Sequence, residues 1–317
     1  AGTGLSGGSI PLADCILMGM GKFNKILETD FDNRCVVAQP CVANLAITQA
    51  VQHRDFYYAP DPSSQLACSI GGNVAENSGG VHSLKYGTTT NNLMGVEMVL
   101  MDGTVLKLGG KHLDSEGYDF LGLVTGSEGL LGVVTEVTVR ILKKPESVRA
   151  VLIGFDSIED SGNCVADIIA KGIVPAGMEI MDKPLIIATD NYAKAGYPRD
   201  VEALLIVELD GTKSEVDDLI KQVSEIAKRN NSNSMKLSKN DKEAITILSE
   251  ALSDHGFFVI TDHSIPHQLF DKAYEYSKKF FDLEIPIKNS YSFRESAGAR
   301  GYTPFGKETA LGETVPD

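Results

Sequence analysis

The sequence contains no apolar run near the roughly 18 residues that a membrane-crossing helix needs, and no stretch laid out as a secretory signal. Cysteine is sparse. Cys15, Cys35, Cys41, Cys68 and Cys164 are scattered, odd in number and include no C-x-x-C pair. That argues for a reducing, cytoplasmic compartment and against a zinc site. Positive charge is also short, with 29 Lys and Arg against 43 Asp and Glu and a formal net charge of −14. A balance of that sign disfavours nucleic acid or an anionic membrane as partner. It does not exclude a small anionic ligand, which backbone amides can bind without net positive charge. Internal repeats and low-complexity tracts are absent as well. The chain opens without methionine and inside a glycine motif, as a piece of a longer product would.

What is present is ordinary for a globular protein: 43% hydrophobic and 23% charged residues over 317 positions, enough for two or three domains. The opening stretch, "AGTGLSGG", fits two catalytic patterns at once. Gly2, Gly4 and Gly7 match the dinucleotide fingerprint G-x-G-x-x-G, and Gly4, Ser6 and Gly8 match the hydrolase elbow G-x-S-x-G. Both patterns demand a strand before the loop and a helix after it. Here the next element is the short apolar run Cys15 to Met18, which reads as a strand, so neither pattern is satisfied. Two readings remain for the loop: an anion cradle of amides and hydroxyls, or an ordinary flexible turn.

Along the chain, residues 1–145 are rich in glycine and short strand-like runs. Asp102-Gly103 predicts a tight two-residue hairpin turn, and Val133 to Leu142 a half-buried strand that ends at Lys143-Lys144-Pro145. From 146 to 243 the texture becomes strand, helix, strand, helix, with a glycine stop at Gly172. The second of these helices carries Val216, Leu219, Ile220, Val223, Ile226 and Ala227 on one face. From 244 onward a helix, a turn and a buried strand lead to a second amphipathic helix bearing Leu269, Phe270, Ala273, Tyr276 and Phe280. The fold class expected is α+β.

Four loops within the first 145 residues are rich in glycine and small polar residues: the opening one, "YYAPDPSSQ", "CSIGGNVAENSGGVHSLKYG" and "GSEGLLGVVTEV". Glycine at such density suits backbone that must approach a large ligand closely, and a diphosphate-bearing cofactor fits. A loop-rich β domain could spend as many glycines on turns alone.

These loops, with "QPCVANLAITQAV" and "TGSEGLLGVVTEVTVRIL", resemble the FAD-binding domain of the vanillyl-alcohol oxidase/p-cresol methylhydroxylase type. Within that type, residues 1–243 resemble the glycolate oxidase and D-lactate dehydrogenase group, with "GIVPAGMEIMD" and "ELDG" similar to its substrate-side cap. The resemblance implies a truncated FAD-binding domain over 1–145, most of whose N-terminal subdomain would precede Ala1, and part of a ferredoxin-like cap over 146–243. It implies that Gly2, Thr3, Gly4, Leu5 and Ser6 hold the FAD diphosphate, with Pro60, Asp61, Pro62 and Ser63 as a second FAD loop. Gly71, Gly72, Asn73, Glu76, Asn77 and Ser78 would line the phosphates, ribose and ring edge. Glu128, Gly129, Gly132, Val133 and Val134 would serve the adenine end through backbone groups. His82 falls in a loop that the group places near the flavin ring, although loop histidines cap turns more often than they touch substrate. Cys41 departs from the group, which has glycine there.

The implied activity is FAD-dependent oxidation of a small 2-hydroxy acid such as glycolate or D-lactate, with other oxidase subunits as electron acceptors. The group's catalytic histidines belong to a half that the resemblance does not reach, so no catalytic residue and no metal ligand is assigned. The resemblance ends near Ser238 to Glu243. Residues 244–317 instead resemble the N-terminal segment of isopenicillin-N-synthase-like 2-oxoglutarate/Fe(II) oxygenases. No His-x-Asp pair occurs within these residues: Phe257, Ile265 and Leu269 stand two places after His255, His263 and His267. The chain therefore reads as two gene pieces joined. The alternatives to an oxidase are an oxygenase fragment and an inert FAD-binding fragment.

Overall fold

The computed structural model describes residues 1–4, 7–9, 14–112, 117–193, 196–238, 272, 275–276 and 278–290. The chain divides into two compact units, Gly21–Val259 on the one hand and Ala1–Met20 with Ile260–Asp317 on the other.

In the larger unit the first sheet grows from short β-branched runs. Ile26–Asp30 (β1), Cys35–Ala38 (β2), Leu93–Val99 (β4), Val105–Gly109 (β5) and Val133–Arg140 (β6) pair antiparallel in the order β1-β2-β6-β4-β5. The helices Asn44–Val51 (α1) and Ile70–Glu76 (α2) place Ile47, Val51, Ile70 and Val74 in one core with Val36, Val96, Val137 and Val139. Four smaller pieces accompany these strands along the chain: Phe56–Tyr57 (β3), paired with Leu142–Lys143 (β7), and the single-turn helices Ser83–Tyr86 (α3) and Thr89–Asn92 (α4).

The β4–β5 turn is present, with a different closure from the one expected. The Leu100 carbonyl accepts from Gly103 N–H at 3.0 Å, and Leu100 N–H donates to the Thr104 carbonyl at 2.9 Å. With Gly103 at φ +83° this is a three-residue loop of the bulged kind, because one left-handed residue instead of two relieves the twist mismatch.

The second sheet is built from Ser147–Phe155 (β8), Gly177–Asp182 (β9), Ala203–Gly211 (β10) and Ser234–Leu237 (β11), antiparallel in the order β11-β8-β10-β9. Period-two alternation divides its side chains between two cores. Val151, Ile153, Phe155, Leu205, Val207 and Leu209 pack under the helices Ile158–Ala170 (α6) and Lys213–Arg229 (α8), the helix Phe120–Val124 (α5) lying earlier in the chain. Leu152, Leu204, Ile206 and Met181 face the other way, against Ile186 of Lys183–Ala193 (α7), Tyr197, Val201 and Val81. Being covered on both faces, β10 is buried from Ala203 to Asp210.

Helix α8 buries Val216, Val223, Ile226 and Ala227 as its spacing predicts. It starts in a capping box in which Thr212 and Glu215 satisfy each other's backbone N–H groups. The strand-helix-strand-helix pattern thus gains β9, α7 and β11. Residues 234–238 belong physically to this sheet, for β11 pairs with β8 and Ser238 Oγ accepts from Ala150 N–H at 3.1 Å.

In the smaller unit, Cys15 to Met18 does not form the expected strand. A short apolar run becomes a strand only with a ladder partner, and Ile16, Leu17 and Met18 are exposed. Of the second amphipathic helix, Tyr276 is 65% exposed, whereas Leu269, Phe270 and Ala273 lie outside the described residues, as do His255, His263 and His267. A further helix, Ile285–Ser290 (α9), follows. Among the described residues no helix is long and apolar enough to cross a membrane.

Candidate functional site

Three of the four loops meet within the larger unit, and backbone contacts hold them. Asn44, 1% exposed at the start of α1, donates its carboxamide N–H to the Pro60 carbonyl at 3.0 Å, which fixes the entry to the 60–63 turn. The 70–73 turn is tied to the 40–44 segment by Ile70 N–H on Val42 O (2.9 Å) and Gly71 N–H on Pro40 O (2.8 Å). A Cβ on Gly71 would strike the Pro40 side chain, and one on Gly80 would strike the Asp61 carbonyl. Glycine at these two places lets one backbone run against another. The 125–129 loop is held to the same helix: Gly126 N–H donates to Val74 O and Glu128 N–H to Ala75 O, each at 2.8 Å. Glu128 adopts φ +53°, which few side-chain-bearing residues do without a surrounding that fixes it.

Among the residues expected to serve a cofactor, Pro60, Asp61, Pro62, Ser63, Gly71, Gly72, Asn73, Glu76, Asn77, Ser78, Glu128 and Gly129 thus gather around α2 and its flanks. Asn73 is 2% exposed and its Nδ2 has no acceptor among the described residues. The Asn77 carboxamide oxygen is already engaged, accepting from Thr88 Oγ1 and Thr90 N–H at 3.0 Å each. Gly132 abuts Val99 at the head of β6. Val133 and Val134 pair with β4, whereas the β2 ladder reaches only Val137 to Arg140, so their second edge is not covered by β2. Gly2, Thr3 and Gly4 belong to the smaller unit and are exposed, with Gly2 at φ +79°; Leu5 and Ser6 lie outside the described residues.

The second sheet adds what the sequence reading missed. His82 Nδ1 lies 2.6 Å from Asp61 Oδ2 and His82 Nε2 lies 2.9 Å from Glu208 Oε1 on β10. One turn on, Lys85 Nζ and the Tyr86 hydroxyl both bond the Asp210 carboxylate. Tyr86 stacks edge-on against Tyr57, with ring centroids 6.2 Å apart. Glu179 on β9 shares the β10 face that carries Glu208, since it registers with Ile206.

Burial opposes charge on His82, but hydrogen bonds and Coulombic attraction from Asp61 and Glu208 win and raise its pKa to about 10. Burial, with the Asp61 charge nearby, pushes the Glu179 carboxyl up to about 7. Burial, chiefly, raises the Tyr57 phenol to about 12. The signal for this cluster was in "LLIVELDG": two acids two residues apart at the end of a fully apolar strand must share one buried face and find partners there.

Residues 1–109 match the family described as "FAD binding domain", and residues 231–317 match "non-haem dioxygenase in morphine synthesis N-terminal". Glycolate oxidase subunit GlcD of Escherichia coli strain K12 is 51% identical over 245 residues, which are 77% of this chain and 49% of that protein. The Bacillus subtilis glycolate oxidase subunit GlcD is 38% identical over 248 residues, 78% of this chain and 53% of the relative. A D-lactate dehydrogenase of Anaerostipes hadrus is 34% identical, over 71% of this chain and 49% of the relative. The chain therefore spans about half the length of these relatives. Among solved structures, an alkyldihydroxyacetonephosphate synthase superposes with a TM-score of 0.62 at 18% identity, covering 83% of this chain and 52% of that one, a likeness of fold. Residues 1–109 are thus similar to FAD binding domains, within a longer likeness to GlcD glycolate oxidase subunits and a D-lactate dehydrogenase.

Proposed function

We propose that the protein is an FAD-dependent oxidoreductase acting on a small 2-hydroxy acid, with glycolate and D-lactate as the first candidates. The observation that carries this is the 51% identity over 245 residues to a glycolate oxidase subunit, coinciding with the convergence of three glycine-bearing loops on one helix. Residues 1–145 form the cofactor domain, 146–243 part of a ferredoxin-like substrate cap, and 244–317 a segment of separate origin. The partners are the hydroxy acid and other oxidase subunits as electron acceptors, in the cytoplasm.

The residues fit the cofactor. Asn73 Nδ2, buried and without an acceptor, would gain one from a phosphate or ring edge. Gly71 and Gly80 let their loops pack directly on Pro40 and Asp61, which fixes the shape of the loop cluster that would meet the cofactor, and Pro60 to Ser63 form a turn whose entry Asn44 fixes. The 128–134 segment offers backbone groups to the adenine end. FAD, when bound, would supply the hydride acceptor for oxidation of the hydroxy acid. The protein's part is to orient the two and keep water from the site.

The test is an absorbance spectrum of the purified protein desalted after incubation with excess FAD, followed by anaerobic addition of glycolate or D-lactate. Retained flavin bands that bleach with one of these acids support the proposal. A colourless protein overturns the cofactor reading, and flavin that neither acid bleaches removes these substrates. A second reading concerns residues 244–317 alone: the dioxygenase N-terminal match supports an oxygenase-type ancestry, and within that segment no His-x-Asp pair stands to assign to iron.

A further inference from the structure

Both ring nitrogens of His82 face carboxylates, Asp61 Oδ2 at 2.6 Å and Glu208 Oε1 at 2.9 Å. A neutral imidazole can donate to only one of them. The other nitrogen would then turn a lone pair toward a carboxylate, with Glu208 only 4% exposed. The two partners come from different layers, Asp61 from the 60–63 turn and Glu208 from the middle of the second sheet. The surrounding charges are of one sign or already committed. Glu179 stands on β9 and Asp210 on β10, while Lys85 and Tyr86 on α3 are both bonded to Asp210. Tyr57 on β3 lies beyond Tyr86 and carries no charge near neutrality. His82 is thus the cation between Asp61 and Glu208. Its backbone N–H also donates to Asp61 Oδ1, at 3.3 Å, and Val81 beside it packs against the second sheet's apolar face.

We propose that His82 is a positioning residue: as an imidazolium it clamps the Pro60–Ser63 turn to strand β10, so that the shape of this turn depends on the second sheet. The clamp rests on the FAD reading only for what the turn holds.

The experiment uses the full chain and three readouts. The first is an NMR pH titration of the histidine ring protons without FAD, with the His82 signal assigned from H82Q. The clamp keeps His82 protonated well above the ordinary histidine range, and titration near the ordinary value overturns it. The second is backbone hydrogen exchange. E208Q, which keeps the shape and removes the charge, is expected to lower protection at the His82 amide although the substitution lies on β10, with the β10–β8 ladder still protected. Unchanged protection at His82 overturns the clamp.

The third readout is FAD affinity by flavin-fluorescence titration. H82Q and E208Q should each weaken binding about tenfold, and the double variant no more than either single one, as for two ends of one contact. Additive losses, or an E208Q affinity equal to that of the parent, contradict the proposal. If the parent chain binds no FAD, the cofactor reading falls, while the ring titration and the exchange data still decide the clamp.

Discussion

Glu208 reaches His82 across 126 positions of sequence with an Oε1–Nε2 separation of 2.9 Å, and so links the second sheet to the loop that follows α2. The contact sets a pH dependence whose sign can be worked out. The His82 pKa of about 10, against an ordinary 6.5, means that its contribution to stability is full below about pH 6.5 and is lost as pH rises through about 10. Glu179, near 7 against 4.5, adds a cost of ionisation that grows from about pH 4.5 and is complete above about 7. Both act in one direction. Urea midpoints should be lower at about pH 9 than at about pH 6, and H82Q should narrow the difference. A midpoint that rises with pH and is unaffected by H82Q contradicts the assignment.

Gly80→Ala should disturb the loop cluster with little effect on the second sheet. Its Cβ would meet the Asp61 carbonyl, a backbone group that moves only with the whole turn. The expected loss is about 1–3 kcal/mol, in the range of overpacked sites. Chemical denaturation measures it. A neutral result would mean that the 60–63 and 79–80 segments do not touch as described.

Thr212→Ala removes the capping box that begins α8, in which Thr212 and Glu215 bond each other's backbone N–H groups. A loss of about 1 kcal/mol is expected. The same substitution at Thr104, whose side chain bonds the exposed Asp102 in the β4–β5 turn and caps no helix, should change stability by less, about 0.5 kcal/mol. Equal effects would deny the cap its role.

Much of the larger unit was legible because its elements announce themselves locally. Helix α8 carries its apolar stripe at 3.6-residue spacing, α6 stops at Gly172 with φ +84°, and β8 and β10 carry the apolar runs Ala150 to Ile153 and Ala203 to Val207. The loops were legible through glycine and through a family resemblance. What stayed hidden was long-range. Nothing local tells Ser234–Leu237 to become a strand, since all four residues are exposed and only pairing with β8 defines them. Nothing near "GGVHSLKYG" names Glu208 or Asp210 as partners of His82 and Lys85. The Cys15 to Met18 run erred in the opposite sense: its composition suits a strand, but a strand exists only in a ladder.

The most direct test of the central claim, that the loops around α2 hold FAD, is a paired measurement on Asn73→Leu. The buried Asn73 Nδ2 has no acceptor among the described residues, so an apolar side chain of similar size costs the free protein nothing in hydrogen bonding. If that nitrogen serves the cofactor, flavin-fluorescence titration should show FAD affinity at least about tenfold weaker, roughly 1.4 kcal/mol, with the melting temperature of the FAD-free chain unchanged or raised. Equal affinity for the parent and the variant, with the melting temperature unchanged, would contradict the account.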